Sequence, residues 1–159
     1  MDTTDEEAPW LTDEEQALWR AHLEVGRLLG YAMERGLQPF GLAINDYTIL
    51  VELSEAPDRR MRMTDLATAT LQSKSRLSHQ ITRMENAGLV VRLECEGDRR
   101  GLFAALTSQG WDTMRRVAPE HVRNVREHFI DRLTVDQISS MHEALAPIAE
   151  HLRTIRGRG

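Results

Sequence analysis

Cysteine is nearly absent from this sequence of 159 residues, where Cys95 stands alone. One thiol can build neither an internal disulfide framework nor a four-thiolate zinc site, and such scarcity fits a reducing compartment. Long apolar runs are missing as well. No stretch approaches the roughly 18 consecutive apolar residues that span a bilayer, and the acidic opening MDTTDEEAPW lacks the basic-then-apolar order of a secretory signal. The expected location is the cytoplasm, with no membrane partner. Also missing are a glycine-rich phosphate loop, a nucleophile elbow, and any cluster of Asp, Glu and His on one predicted element. The six histidines, His22, His79, His121, His128, His142 and His151, include no pair at His-x-x-x-His spacing. Enzymatic chemistry, a bound metal and a cofactor are therefore not expected.

With 41% apolar residues the chain has the composition of one compact domain, without internal repeats or low-complexity tracts. Its formal net charge of −5 argues at first against a nucleic-acid partner, because phosphate binding rests on Lys and Arg. The average conceals a division. Residues 1–55 hold 3 basic and 12 acidic side chains, residues 56–106 hold 9 and 6, and residues 107–159 hold 8 and 7. Positive charge gathers in the middle third.

Residues 1–11 read as an acidic flexible tail, and a helix begins after Thr12, whose partner Glu15 completes a capping-box pattern. Leu18, Ala21, Val25, Leu28, Leu29 and Ala32 recur at helical spacing until Gly36 and Pro39 stop the run. Asn45 or Asp46 is placed to cap a second helix through Tyr47, Ile49, Leu50 and Leu53. Thr64 is placed to cap a short third helix from Asp65 to about Thr70, and Ser73 a fourth that ends at Gly88. Two short helices so tightly joined form a helix-turn-helix signature. The period then changes to two through Leu89, Val91 and Leu93, a polar turn follows at 96–101, and Leu102 to Leu106 returns as a strand. Thr107 caps a long helix, and Thr134 or Asp136 starts the last one, with Met141, Leu145, Ile148, Leu152 and Ile155 on one stripe. The fold class is mainly α with a small β-hairpin wing. A winged helix-turn-helix lobe spans residues 45–106, with its DNA-reading part from Arg62 to Leu106, and helical regions at 12–40 and 107–159 flank it in a single domain over 12–159.

A helix that enters a major groove keeps one face apolar and offers short polar or forked basic side chains on the other. Projected at about 100° per residue, the fourth helix puts Leu77, Ile81 and Met84 on one side and Ser75, His79, Thr82 and Asn86 opposite, flanked by Arg76 and Arg83. Glu85 lies toward the flank, so the outer face carries no carboxylate. Thr64, Ser73 and Lys74 stand at helix starts where phosphates approach, and Gln80 completes the expected DNA-contacting set on the helix. Arg99 and Arg100, at a Gly-flanked tip, are expected to enter a minor groove. Asp98 is expected to orient Arg100 through a bidentate pair. The partner this arrangement fits is double-stranded DNA.

These residues resemble the MarR family of winged-helix regulators. The segment MRMTDLATATLQSKSRLSHQITRMENAGLVVR is similar to that family's third helix, recognition helix and first wing strand, and EGDRRGLFAALTSQG to its wing and following helix start. A D-x-R-G element falls at Asp98, Arg100 and Gly101, and an L-T-x-x-G element at Leu106, Thr107 and Gly110. His79 and Gln80 depart from the Arg or Leu-type pattern of many relatives, so an operator sequence does not carry over. The resemblance implies a homodimer, joined through its first, fifth and sixth helices, on a pseudo-palindromic operator. It implies a transcriptional repressor released by a small-molecule effector, aromatic or phenolic, bound between the dimer helices and the DNA lobe. Trp19, His22, Arg27, Tyr31 and Tyr47 are the candidate effector-lining residues.

Dimerisation is also indicated without the family, because the two terminal helical regions carry more apolar stripe than one small lobe can cover. Two alternatives stand beside this reading. One is a winged-helix protein-interaction dimer without strong DNA binding. The other is a redox-responsive regulator using Cys95, although Glu94 and Glu96 beside that thiol disfavour its ionisation.

Overall fold

The structure is a computed structural model that describes residues 9–95 and 98–156; the side chains of residues 95–100 and of Arg156 lie outside the described set. In chain order the elements are α1 (Asp13–Leu37), α2 (Ile44–Glu55), β1 (Arg60–Arg62), α3 (Met63–Ala69), α4 (Lys74–Asn86), β2 (Val90–Cys95), β3 (Asp98–Leu106), α5 (Ser108–His128) and α6 (Val135–Arg156). The class is the expected one, mainly helical with a small antiparallel sheet.

Local chemistry starts and stops most of these elements. At α1 the Thr12 hydroxyl accepts from the Glu15 amide at 3.2 Å while the Glu15 carboxylate accepts from the Thr12 amide at 2.8 Å, satisfying two of the amides a helix start leaves unpaired. Ser73 caps α4 by accepting from the Arg76 amide at 3.3 Å, and Thr107 caps α5 by accepting from the Gly110 amide at 2.9 Å. Beyond α4, Gly88 adopts φ +73°, and the amides of Leu89 and Gly88 return to the carbonyls of Met84 and Glu85. That pair of bonds requires the left-handed backbone that glycine tolerates without strain.

Two helix starts differ from expectation. Neither Asn45 nor Asp46 caps α2, which begins at Ile44 after Ala43. Asp46 acts from inside the first turn, accepting from the Ala43 amide at 3.0 Å, while Glu34 of α1 accepts from the Ile44 amide at 2.8 Å. Thr64 does not cap α3, which begins at Met63 directly from the strand residue Arg62. Pairing of Arg62 with Phe103 holds the backbone extended up to the helix start, so no capping side chain is used.

The sheet has the order β1-β3-β2, all antiparallel, with Arg62 opposite Phe103 and Leu93 opposite Phe103 on the other side. β1 is the strand that sequence periodicity does not reveal. Within β2 the inward residues are Val90 and Arg92, whereas Val91 and Leu93 are each 39% exposed. The core lies where this sheet meets the helices, built from Ile49, Leu50 and Leu53 of α2, Leu66 of α3, Leu77, Ile81 and Met84 of α4, and Val117 of α5. Each such side chain contributes about 1.5–3 kcal/mol on burial. α5 approaches closely here. A Cβ on Gly110 would lie 2.0 Å from the Leu89 carbonyl oxygen, which is why the L-T-x-x-G element ends in glycine.

Outside this lobe the packing thins. α1 buries only Met33 and Leu37 and exposes Leu18, Trp19, Val25, Leu28 and Tyr31. α6 makes only scattered contacts with other elements and exposes Leu145, Ile148, Leu152 and Ile155. No helix among the described residues is long and apolar enough to cross a membrane.

Candidate nucleic-acid interface

α4 is the second helix of the helix-turn-helix. Its inner stripe of Leu77, Ile81 and Met84 is fully buried, which turns Lys74, Ser75, Arg76, Ser78, His79, Thr82 and Arg83 to the outside. The turn before it holds Leu71 at φ +57° and returns the Thr70 and Gln72 amides to the carbonyls of Leu66 and Ala67, both at 2.9 Å. This fixes the angle between α3 and α4. Thr64 and Lys74 line one cleft of about 320 Å³ with Arg62, Ser78, Arg92, Gly101 and Leu102, so the start of α3, the start of α4 and the wing come together on one surface.

Gln80 does not belong to that surface. It is 9% exposed, and its amide donates to Asp46 Oδ1 at 3.0 Å. The Arg83 guanidinium reaches the same oxygen at 2.6 Å while its side chain stays 62% exposed. Asp46 thus takes three donors, from Ala43, Gln80 and Arg83, which a buried carboxylate needs to offset lost hydration. Gln80 was expected at the DNA, but it lies on the boundary of the buried stripe and its partner is 34 positions away in sequence.

A second polar cluster underlies the helix. The Arg92 guanidinium pairs with Glu85 and donates to the Ser78 carbonyl at 2.7 Å and to the Thr82 hydroxyl at 3.1 Å. Glu85 also accepts from the Arg92 amide at 2.8 Å. The carboxylate that α4 itself carries is thereby paired. Sequence reasoning passed over Arg92, although its alternation with the buried Val90 put it in the inward phase of the strand. From β1, Arg60 and Arg62 lie over Phe103 of β3 at 5.3 and 5.6 Å, and just before β1 Arg59 lies over Trp111 of α5 at 3.7 Å, distances at which a cation is attracted to a ring face. The expected roles of Asp98, Arg99 and Arg100, and that of Cys95, fall on side chains outside the described residues; β3 places the backbone of the first three at the hairpin end.

A family model described as the MarR family matches residues 40–101. The crystal structure of AbsC, a MarR family transcriptional regulator from Streptomyces coelicolor, is 66% identical and superposes with a TM-score of 0.88, covering 91% of this chain and 98% of that one. The chain belongs to the MarR family. Sco3205, a MarR family transcriptional regulator of the same organism solved in complex with DNA, is 44% identical with a TM-score of 0.88 over 93% of each chain. The transcriptional regulator PecS of Dickeya dadantii (strain 3937) is 27% identical over 80% of this chain and 77% of its own length.

Within this MarR-family chain the five candidate effector residues are not gathered into one cavity. Trp19 is 53% exposed and stacks on His22, with ring centroids 5.8 Å apart, and Tyr31 is 64% exposed. Arg27 is also exposed on α1. Tyr47 is buried in the lobe, its ring centroid 4.3 Å from that of His121. Burial raises the Tyr47 phenol and lowers the His121 imidazole from their ordinary pKa values, which favours the neutral form of each. The cavity between α1 and α5, about 290 Å³, is lined instead by Val25, Leu28, Leu29, Ala32, His128 and Phe129.

Proposed function

We propose that this DNA-binding transcriptional regulator reads a pseudo-palindromic operator as a homodimer, each copy laying α4 in a major groove. The observation that carries the reading is the outer face of α4, where Ser75, Arg76, His79, Thr82 and Arg83 are exposed and Glu85, the carboxylate of α4 itself, is held by Arg92. Ser75, Arg76, His79 and Arg83 would meet base edges, and Thr64, Ser73 and Lys74 would meet phosphates. Arg99 and Arg100 would enter the adjoining minor groove, oriented by Asp98. Gln80 supports the helix from behind by its bond to Asp46 and has no place among the base contacts.

The homodimer reading is supported by α1 and α6, which leave large apolar side chains exposed among the described residues. A two-fold protein presents two recognition helices to two half-sites about one helical turn apart. In the cytoplasm the bound dimer acts as a repressor in this reading, released by a small aromatic or phenolic effector. The cavity between α1 and α5, apolar apart from His128, would receive such a ring.

The test is binding of purified protein to duplex recovered from its own genome, followed by fluorescence anisotropy across a salt series. A steep fall in affinity with salt is expected, because each neutralised phosphate releases counterions. Salt-independent binding, or a monomer at micromolar concentration by sedimentation equilibrium, would remove the reading.

A further inference from the structure

We propose that Arg92 is a positioning residue that sets how the recognition helix α4 sits against the wing, and that it serves operator recognition this way without touching DNA. The proposal rests on the operator reading above. Arg92 stands on β2, and its guanidinium reaches three positions on one side of α4: Glu85, the Ser78 carbonyl and hydroxyl, and the Thr82 hydroxyl. These span two turns of the helix. The Arg92 amide is bound to the same Glu85 at 2.8 Å, so the strand is tied to the helix by main chain and side chain at once.

The donor inventory separates this role from phosphate contact. A guanidinium has five N–H groups in a fixed fork. Here one terminal nitrogen is paired with Glu85 and the other faces three oxygens of Ser78 and Thr82, with only 21% of the side chain exposed. Binding a phosphate would mean leaving a carboxylate, which is electrostatically unfavourable. The Ser78 carbonyl accepts from Thr82 as well as from Arg92. The Thr82 hydroxyl, by donating to Ser78 and accepting from Arg92, is committed to the helix. A lysine in place of Arg92 would keep the charge but lose the fork that spans Glu85 and Ser78 together.

Three variants, Arg92→Gln, Arg92→Lys and Glu85→Ala, would be compared on a duplex enriched by the parent protein from a randomised pool and on unselected duplex. Positioning predicts that each weakens the selected duplex by about ten- to hundredfold while unselected binding and the salt slope hold. The double variant Glu85→Ala with Arg92→Gln should lose no more than either single change, because the two residues act as one unit. Phosphate contact predicts the opposite sign at Glu85, since deleting a carboxylate beside a freed arginine tightens binding to any DNA. It also predicts a salt slope lower by about 0.9 in Arg92→Gln. Either result would overturn the proposal. Unselected binding reports folding in each variant, and Glu85→Ala carries the comparison alone if Arg92→Gln unfolds. A parent protein without salt-dependent duplex binding would instead sink the operator reading and this inference with it.

Discussion

The lobe from α2 to β3 and the arms formed by α1 and α6 spend similar apolar side chains in opposite ways. In the lobe, Ile49, Leu50, Leu53, Leu66, Leu77 and Ile81 are 0% exposed, whereas on the arms Leu18, Leu28, Ile148, Leu152 and Ile155 are each more than half exposed. Helical periodicity is alike in both. What differs is whether the described residues supply an opposing surface: α1 packs on α5 along part of its length only, and α6 hardly at all. The lobe closes its core within one chain, and the proposed homodimer would give the arms the cover they lack.

The largest expected effect comes from breaking the arms. Leu145→Asp combined with Leu152→Asp should raise the dimer dissociation constant by more than about a hundredfold, because two leucines that the proposed dimer would bury are exchanged for charges, as read by sedimentation equilibrium. The unfolding midpoint of the parent should rise with protein concentration and that of the variant should not. Leu50→Ala, in the lobe, should cost about 2–5 kcal/mol at every concentration, by denaturant unfolding. Asp46→Ala should cost about 1–3 kcal/mol, because the amides of Ala43 and Gln80 and the Arg83 guanidinium lose their acceptor. It should leave dimerisation unchanged.

How well the sequence could be read follows the same division between near and far. Thr12, Ser73, Thr107 and Gly88 were legible because each acts on backbone within a few residues, where spacing alone specifies geometry. Asp46 was readable as a residue that serves the start of α2, but not as the anchor for Gln80 and Arg83, since those bonds join residues 34 and 37 positions apart. β1 was hidden because three residues make too short a period to detect, and its existence depends on β3 being alongside. Which face of β2 turns inward was hidden for a related reason. Val91 and Leu93 are more apolar than Arg92, yet Glu85 makes the arginine the better fit beneath α4.

Smaller effects sharpen the interface itself. Ser75→Ala or His79→Ala should change preference among operator sequences by about 1–3 kcal/mol, whereas Arg100→Ala should weaken selected and unselected duplex alike. The smallest is a pH effect within the lobe. His121 has its pKa lowered from 6.5 by burial against Tyr47, so the unfolded chain takes up the proton first as pH falls. The stability this neutral imidazole contributes is complete above pH 6.5 and is lost as pH falls through the lower folded value. His121→Phe should flatten the fall in unfolding midpoint between neutral and mildly acidic buffer.

The near-isolation of α6 has a kinetic consequence. Residues 44–106 hold most of the core within a short span of chain, so the lobe can fold in a unimolecular step soon after it leaves the ribosome. α6 follows later in the chain, is thinly packed among the described residues, and in the proposed homodimer would gain its apolar cover by meeting a second copy. Refolding should therefore divide into a fast phase independent of protein concentration and a slower one whose rate rises with it, and the half-built intermediate between them would be the species most exposed to chaperones and proteases.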